Sequence, residues 1–244
     1  MADGLTRLAD LNLYEGKTKR PLRVEHASRI VHAPRVVDLC CGFGRITLEL
    51  ARRGFAACGV DITDSYLKTA KEDAAHEKLD IEFIQKDVRK FRRKNGFEVA
   101  LNLYNSFGYF ENSCDDLLFL KNAHYSLCDG GALIIDLLGK EIAVRDYIEA
   151  EWFERAGCTV LTESNPVDCW GSMWNRWILI KDGQRREKVF IQRLYAATEL
   201  RSLLLKAGFS TVEIYGGWDE RPYDQQAQTL IAVGRKAEAR RGSG

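Results

Sequence analysis

A glycine-containing turn between two short apolar segments constrains the fold more than any other feature of this sequence. Residues 36–40 are mostly apolar, as in a buried strand, and residues 41–44 include two glycines. A helical pattern follows over residues 45–53, and a second apolar strand is predicted over residues 56–60. A strand that turns tightly into a helix and returns as a neighbouring strand is typical of a parallel sheet covered by helices.

The same alternation continues to residue 138. Further strands are predicted over 81–84, 99–103 and 132–137. One intervening helix is predicted to begin at Asp64 as its N-cap, and another covers 117–127. The pair Gly130-Gly131 indicates a turn into the fifth strand. Continuous apolar strands between helices predict an α/β fold with a doubly wound, Rossmann-like sheet.

The pattern changes after the fifth strand, where strand-like segments follow each other without helices. They lie over 159–163, 173–180 and 188–195, and Lys181-Asp182-Gly183-Gln184 is typical of a hairpin turn. An antiparallel insertion is therefore predicted over 150–196, within a single domain that spans residues 1–244.

The end of the sequence returns to the first pattern. Thr198 is predicted to cap a helix that ends at Gly208, and two last strands are predicted over 211–215 and 228–233. The charged, then Gly/Ser-containing residues 237–244 are predicted to form a disordered tail.

Charge and composition narrow the classes of function. The chain has 36 Lys and Arg against 35 Asp and Glu, so the basic surplus typical of nucleic-acid binding is absent and such a partner is not expected. The apolar runs are too short to span a bilayer, and residues 1–13 lack the core of a signal peptide. Seven cysteines without a CxxC pair or zinc-ligand spacing predict reduced thiols, a cytoplasmic protein and no metal site.

The glycine turn also indicates a ligand. Glycines there let the backbone approach a bound molecule, and the N-terminus of the following helix attracts an anion. Asp61 ends the second strand 19 residues after Gly42, where a carboxylate can bind both hydroxyls of a ribose. Thr47 replaces the third glycine of a dinucleotide fingerprint, and a Walker GKS or GKT is absent. A single anionic docking point suits the carboxylate of S-adenosylmethionine, although the glycines alone could serve only the tight turn.

A specific resemblance supports this cofactor. The run VVDLCCGFGRITLELARRGFAACGVDIT resembles the class I S-adenosylmethionine-dependent methyltransferases. Arg45 after the glycines, LNLYNSFGYF over 101–110 and GGWDERPYD over 216–224 are similar to a bacterial small-molecule branch that includes sugar N,N-dimethyltransferases. The resemblance covers about residues 14–236. It implies a seven-stranded sheet whose last strand is antiparallel.

The resemblance assigns roles at the methionine end of the cofactor. It implies that Asp38 orients the turn and reaches the amino group through water, and that the Leu103 carbonyl accepts from the same ammonium. The backbone of Cys40, Gly42 and Gly44 would line the methionine moiety. Arg45 could pair with the cofactor carboxylate or be a surface charge. Cys40 is expected to be a small packing residue rather than a nucleophile.

At the adenosine end, the resemblance implies that Asp61 holds the ribose hydroxyls and that Ile62 packs on the adenine. Asp87 would accept from the adenine amino group, and the Val88 N–H would donate to the ring. Asp87 could equally be a turn or capping residue. Ile46 stands where this branch often has histidine, so the helix turn after Arg45 is given no catalytic role.

The acceptor site is expected in the loop after the fourth strand, because ligands bind at the carboxyl ends of parallel strands. Its Tyr104, Asn105 and Tyr109 can supply aromatic faces and hydrogen bonds. Tyr14 is either a lid over the site or a surface aromatic. His124 lies on an apolar helix stripe and is expected to be a packed histidine rather than a base. Trp170 and Trp218 are core residues or line an acceptor pocket.

The sequence thus predicts a methyltransferase that acts on a small-molecule amine or hydroxyl. Two alternatives remain open at this point: methylation of a protein or tRNA site, and a protein that binds S-adenosylmethionine without transferring its methyl group. The oligomeric state is not predicted.

Overall fold

The computed structural model describes residues 33–239. Tyr14 and the helix predicted over 22–31 lie outside the described residues. The strands are β1 (Arg35–Leu39), β2 (Ala56–Asp61), β3 (Glu82–Gln85), β4 (Phe97–Asn102), β5 (Leu127–Leu137), β6 (Ala150–Arg155), β7 (Cys158–Val167), β8 (Ser172–Lys181), β9 (Gln184–Arg193), β10 (Thr211–Tyr215) and β11 (Leu230–Arg235). The helices are α1 (Arg45–Arg52), α2 (Asp64–His76), α3 (Ser113–Ser126), α4 (Lys140–Arg145) and α5 (Ala197–Ala207).

Seven strands form one sheet, in the order β10-β11-β5-β4-β1-β2-β3. Strands β3, β2, β1, β4 and β5 are parallel to one another, whereas β11 is antiparallel to both β5 and β10. The predicted Rossmann-like sheet with an antiparallel last strand is confirmed. Because β1 lies between β2 and β4, the turns after these strands meet at one edge of the sheet.

The remaining strands form a second, antiparallel sheet in the order β6-β7-β8-β9. It follows β5 and α4, as expected for the antiparallel insertion. Lys181 pairs with Gln184 across the predicted hairpin turn, and both Asp182 (φ 49°) and Gly183 (φ 74°) adopt the positive φ that such a turn requires.

Two apolar layers cover the two faces of the seven-stranded sheet. On one face, Phe119 and Leu120 of α3 and Leu200 and Leu204 of α5 are fully buried in the largest apolar cluster. On the other, Ile46 and Leu50 of α1 pack on the residues of β1 and β4 that alternate with those of the first face. This arrangement fixes α1, and hence the turn before it, against the sheet.

Several predicted boundaries are wrong. Gly130 and Gly131 lie inside β5, where the β4–β5 register shifts, because this strand begins directly after α3 at Leu127. The helix α2 begins at Asp64 itself, with Thr63 as its N-cap residue. Thr198 lies within α5, and the Ala196 N–H donates instead to the Glu199 carboxylate at 2.9 Å. Gly208 ends α5 at φ 113°, as predicted.

The described residues contain two elements that sequence periodicity does not predict. The helix α4 has only six residues, and β6 is an exposed edge strand in which only Phe153 is half-buried. Neither is long or apolar enough to produce a clear period. Between residues 33 and 239, no helix is long and apolar enough to cross a membrane.

Candidate active site

The turn between β1 and α1, residues 40–44, is held against the end of β2. The Cys40 and Cys41 N–H groups both donate to the Val60 carbonyl, at 2.8 and 3.1 Å. Cys40 (φ 65°), Gly42 (φ 55°) and Gly44 (φ 75°) adopt left-handed backbone conformations, which glycine adopts without steric cost. The turn therefore has a fixed shape set by hydrogen bonds to the neighbouring strand.

The two glycines of this turn have different roles. A Cβ added at Gly44 would lie 2.9 Å from the Ala70 Cβ and about as close to the Phe83 ring, so Gly44 lets the turn pack on α2 and β3. A Cβ at Gly42 would meet no atom within 4 Å. The backbone at Gly42 thus faces open space, which a ligand can approach closely.

Asp61 joins the turn to the end of β2. One carboxylate oxygen accepts from the Gly42 N–H at 2.9 Å and the other accepts from the Thr63 N–H at 2.8 Å. Asp61 is 8 % exposed, and each oxygen keeps a second lone pair. The same carboxylate that shapes the turn can therefore accept from the two hydroxyls of a ribose. Ile62 beside it is 63 % exposed, an apolar surface at the expected position of the adenine.

Asp38 lies buried at the end of β1 and accepts from the Thr47 hydroxyl at 2.8 Å. Burial raises the pKa of Asp38 to about 6, against the opposing effect of the Thr47 hydrogen bond. Thr47 stands where a dinucleotide fingerprint has its third glycine. The structure gives a reason for threonine here, because its hydroxyl donates to the Asp38 carboxylate. Burial also raises the pKa of Cys40 to about 12, which leaves the thiol protonated and unsuited to nucleophilic attack.

Two groups at the end of β4 fit the ammonium of a methionine moiety. Asn102 is 1 % exposed and donates to the Leu39 carbonyl at 2.9 Å, while its own side-chain oxygen is buried without a hydrogen-bond partner among residues 33–239. The Leu103 carbonyl accepts from the Ser106 hydroxyl at 2.8 Å and keeps one lone pair. Sequence reasoning missed Asn102, although a polar residue ending an apolar strand was a usable signal.

Asp87 and Val88 follow β3 at the same edge of the sheet. The Asp87 carboxylate accepts from the Arg89 N–H at 2.9 Å and pairs with the Arg89 guanidinium at 2.6 Å. This ion pair holds the pKa of Asp87 below its ordinary value. Asp87 thus serves as a turn residue, and its adenine role stays a prediction. The Val88 side chain is buried in the core, so only its backbone is available to a ligand.

Arg45, the first residue of α1, stacks on the ring of Tyr104, with its guanidinium carbon 4.2 Å from the ring centroid. This contact joins the turn after β1 to the loop after β4, residues 103–110, which we call the acceptor loop. The pairing of Arg45 with the cofactor carboxylate stays a prediction. Such a cation–π pair favours a fixed orientation of the tyrosine ring.

The acceptor loop has an unusual backbone. Tyr104 (φ 55°) and Asn105 (φ 61°) are consecutive non-glycine residues in the left-handed region. Asp136 at the end of β5 holds both: its carboxylate accepts from the Tyr104 N–H at 3.4 Å and its backbone carbonyl from the Asn105 N–H at 3.0 Å. The Asp136 carboxylate also binds the Thr229 hydroxyl.

The side chain of Asn105 bridges both sheets. Its amide donates to the Gln192 side chain of β9 at 3.0 Å, and its oxygen accepts from the Leu138 N–H at 3.1 Å. Gln192 donates back to the Phe107 carbonyl at 3.1 Å. The alternation of β9 did not mark Gln192 as a site residue. Both polar ends of the Asn105 side chain are therefore engaged in holding the acceptor loop.

The tyrosines of the acceptor loop lie apart. Tyr104 is 38 % exposed beside Arg45, and Tyr109 is 46 % exposed and packs on Phe190 of β9, 5.7 Å between ring centroids. The acceptor loop thus extends from Arg45, directly after the turn at residues 40–44, to the second sheet. Gly108 allows this contact, because a Cβ there would lie 2.5 Å from the Arg193 carbonyl oxygen.

His124, Trp170 and Trp218 all pack against other side chains. His124 packs edge-on against Phe209, 5.1 Å between ring centroids, and burial lowers its pKa, so it is a packed helix residue. Trp218 packs on the apolar layer that includes Leu103, and Trp170 contacts Tyr147.

Within residues 33–239, no cluster of three or more histidine, cysteine, aspartate or glutamate side chains could hold a metal ion.

One pH dependence follows from Asp38. If its carboxylate faces the cofactor ammonium, binding favours the ionised form, and below pH 6 a proton must first leave. We expect the affinity for S-adenosylhomocysteine to rise by up to about tenfold per pH unit as the pH approaches 6 from below, then to level off. Calorimetry between pH 5 and 8 checks this. Thr47→Val should move the midpoint to higher pH, and Asp38→Asn should flatten the profile; an unchanged profile in both variants would contradict the role.

Comparisons with known proteins match part of the chain to a methyltransferase domain. Residues 36–131 match the family model described as a methyltransferase domain. A putative methyltransferase of Geobacillus sp. (strain WCH70) is 22 % identical over 84 % of this chain and 85 % of its own.

Solved structures share the fold. An S-adenosylmethionine-dependent methyltransferase from Clostridium acetobutylicum has a TM-score of 0.71 at 16 % identity, covering 84 % of each chain. The sugar N-methyltransferase KedS8 from Streptoalloteichus sp. has a TM-score of 0.67 at 19 % identity, covering 84 % of this chain and 81 % of its own. The chain thus contains a methyltransferase domain over residues 36–131, which includes the turn described above, and its fold is that of S-adenosylmethionine-dependent methyltransferases.

Proposed function

We propose that this enzyme methylates an amine or hydroxyl of a small molecule, in the cytoplasm. The observation that carries the proposal is the acceptor loop, which is fixed at the carboxyl edge of the sheet between Asp136 and Gln192 and presents two half-exposed tyrosines. The near-neutral charge of the chain favours a small acceptor over a nucleic acid. KedS8, with the same fold, is a sugar N-methyltransferase, which is compatible with an amine acceptor.

In this proposal, the enzyme works chiefly by orientation. The bound cofactor supplies a methyl group on a positively charged sulfur, a good leaving group. An amine that arrives deprotonated then needs alignment more than a strong base. Tyr104, stacked on Arg45, would form the wall nearest the cofactor turn. Asn105 would act by holding the loop in place, because its side chain is already bonded to Gln192 and Leu138. Tyr14 as a lid remains a prediction.

The test is turnover of S-adenosylmethionine to S-adenosylhomocysteine with a panel of small amines and alcohols, against total tRNA and a cell-protein extract as macromolecular acceptors. Transfer to at least one small-molecule class is expected, and at low cofactor concentration it should be much slower in Asp61→Ala. Transfer confined to tRNA or protein would overturn the proposal while leaving the cofactor assignment intact.

Asn105 gives a sharper test of the orientation mechanism. Asn105→Ala removes both bridging hydrogen bonds and puts a less suitable residue at φ 61°, so the acceptor should be misplaced and kcat/KM should fall on the order of 100-fold. Cofactor affinity should hardly change. Asn95→Ala is the matched control, because Asn95 is also left-handed (φ 48°) but lies in the turn before β4. Equal activity of the two variants would remove Asn105 from the acceptor site.

The Tyr109→Phe variant tests whether the enzyme acts by orienting the acceptor or by acid–base catalysis through the Tyr109 hydroxyl. Tyr109→Phe keeps the ring contact with Phe190, and we expect it to retain most of its activity. Burial raises the pKa of Tyr109, which disfavours the phenolate as a base. Complete loss of turnover in Tyr109→Phe with cofactor binding intact would instead make the hydroxyl a proton carrier.

A further inference from the structure

Three aromatic rings continue from the acceptor loop along the second sheet. Tyr109 packs on Phe190 with 5.7 Å between ring centroids, and Phe190 packs on Trp177 with 6.4 Å. Tyr109 is 46 % exposed, Trp177 is 48 % exposed and Phe190 is half-buried. We call Tyr109, Phe190 and Trp177 the aromatic row.

The strand register places the row on the face of the second sheet that meets the acceptor loop. Phe190 is two residues from Gln192 in β9 and so lies on the same face, and the buried Gln192 side chain donates to the acceptor loop. Trp177 lies on the same face, four residues along β8 from Met173, which is opposite Gln192 and buried. The row therefore begins at the loop and extends away from it along this face.

The acceptor loop links the aromatic row to the turn at residues 40–44. Arg45 contacts Tyr104 at one end of the acceptor loop, and Tyr109 near its other end begins the row. An acceptor whose reactive group lies beside Tyr104 could therefore place a further part of its structure over Phe190 or Trp177. Exposed apolar surface that continues from a site in this way can contact the part of a ligand that extends beyond its reacting group.

The geometry of the rings favours another ring. Neighbouring planes in the row are inclined by 42° and 50°, so each leaves part of a face or an edge open. Aromatic rings prefer offset or edge-to-face contacts with centroids 4.5–7 Å apart, and a planar ligand ring can join the row in the same way. A saturated ring of similar size gains the apolar contact but not the alignment of π-systems.

From these observations we propose that the acceptor carries a planar aromatic ring, bound by Phe190 and Trp177 at a distance from the methylated amine or hydroxyl. The inference rests on the proposed small-molecule function and names a class of acceptor within it. Phe190 and Trp177 are then specificity-determining residues, and their replacement changes which acceptor is preferred more than how fast the methyl group moves.

The test compares acceptors that differ only in the ring, such as 2-phenylethylamine against 2-cyclohexylethylamine and the matching pair of alcohols. Binding is measured by calorimetry with S-adenosylhomocysteine present, and turnover by release of S-adenosylhomocysteine. We expect the aromatic member of a pair to bind at least tenfold more tightly, and Trp177→Leu to abolish that preference.

Trp152→Leu is the matched control. Trp152 pairs with Leu161, which pairs with Ile178, so it lies on the opposite face of the same sheet and is 68 % exposed. This variant should keep the aromatic preference. Equal binding of aromatic and saturated members, no binding of any aromatic member, or equal loss of preference in both tryptophan variants overturns the inference. Turnover of a saturated amine with no aromatic preference would overturn it while supporting the proposed function.

Discussion

Replacing Arg193 by methionine is expected to lower the free energy of unfolding by about 3–5 kcal/mol, because it leaves a buried carboxylate without its counter-charge. Asp116 in α3 is fully buried, and one of its oxygens binds both the Arg193 guanidinium and the Tyr195 hydroxyl, the latter at 2.7 Å. Arg193 also donates to the Phe110 and Glu111 carbonyls at 3.3 and 3.2 Å. The substitution therefore releases the end of the acceptor loop as well.

The loss should depend on pH. Burial raises the pKa of Asp116, while Arg193 and Tyr195 lower it, so removing Arg193 moves the folded-state pKa still higher. A carboxyl pKa that folding raises costs stability as the pH rises above the unfolded-state pKa, and the cost is complete once the pH exceeds the folded-state pKa. The cost disappears where the group is protonated in both states. The variant should thus be most destabilised near pH 7 and approach the wild type as the pH falls through the range where Asp116 gains its proton.

Urea denaturation followed by circular dichroism measures this effect. Arg221→Met is the control, since Arg221 pairs with Asp219 on the surface, with side chains 42 % and 56 % exposed. That variant should change stability by less than about 0.5 kcal/mol. Similar values for both variants would mean that the Asp116 pair contributes no more than a surface ion pair.

Replacing Asp61 by alanine is expected to weaken binding of S-adenosylhomocysteine by about 1.5–3 kcal/mol, because two charge-assisted hydrogen bonds to the ribose are lost. The structure adds a second cause in the same direction. The carboxylate also accepts from the N–H groups of Gly42 and Thr63, so its removal loosens the turn at residues 40–44.

Asp64→Ala is the control for this prediction, because Asp64 is an exposed carboxylate three residues later, at the start of α2. It should bind S-adenosylhomocysteine like the wild type. NAD should bind negligibly to all three proteins. Wild-type affinity in Asp61→Ala would mean that this carboxylate does not hold the ribose.

The fold was predictable where local periodicity and packing agree. Strands β1, β2 and β4 are buried on both faces and therefore appear in the sequence as apolar runs, and Gly42, Gly44 and Asp61 mark where β1 and β2 end. The second sheet was predictable only in its middle. Its edge strand β6 is mostly exposed, and residues of β9 such as Arg186 and Lys188 interrupt the apolar alternation.

The sequence predicted that the residues of the acceptor loop lie together, but not the contacts that hold them. The sequence placed Tyr104, Asn105 and Tyr109 together because they share a loop after β4. It could not show that Asn105 is bonded to Gln192, 87 residues later, since such a contact depends on how the second sheet is placed. The same holds for Arg45, whose partner in the structure is the Tyr104 ring.

The most direct measurement is calorimetric titration of the folded protein with S-adenosylmethionine and S-adenosylhomocysteine, without added metal. The account predicts saturable binding of both compounds at one site per chain, unaffected by a chelator and weakened in Asp61→Ala. A well-folded sample that binds neither compound, or that binds NAD more tightly than either, would contradict the assignment of the turn at residues 40–44 to S-adenosylmethionine.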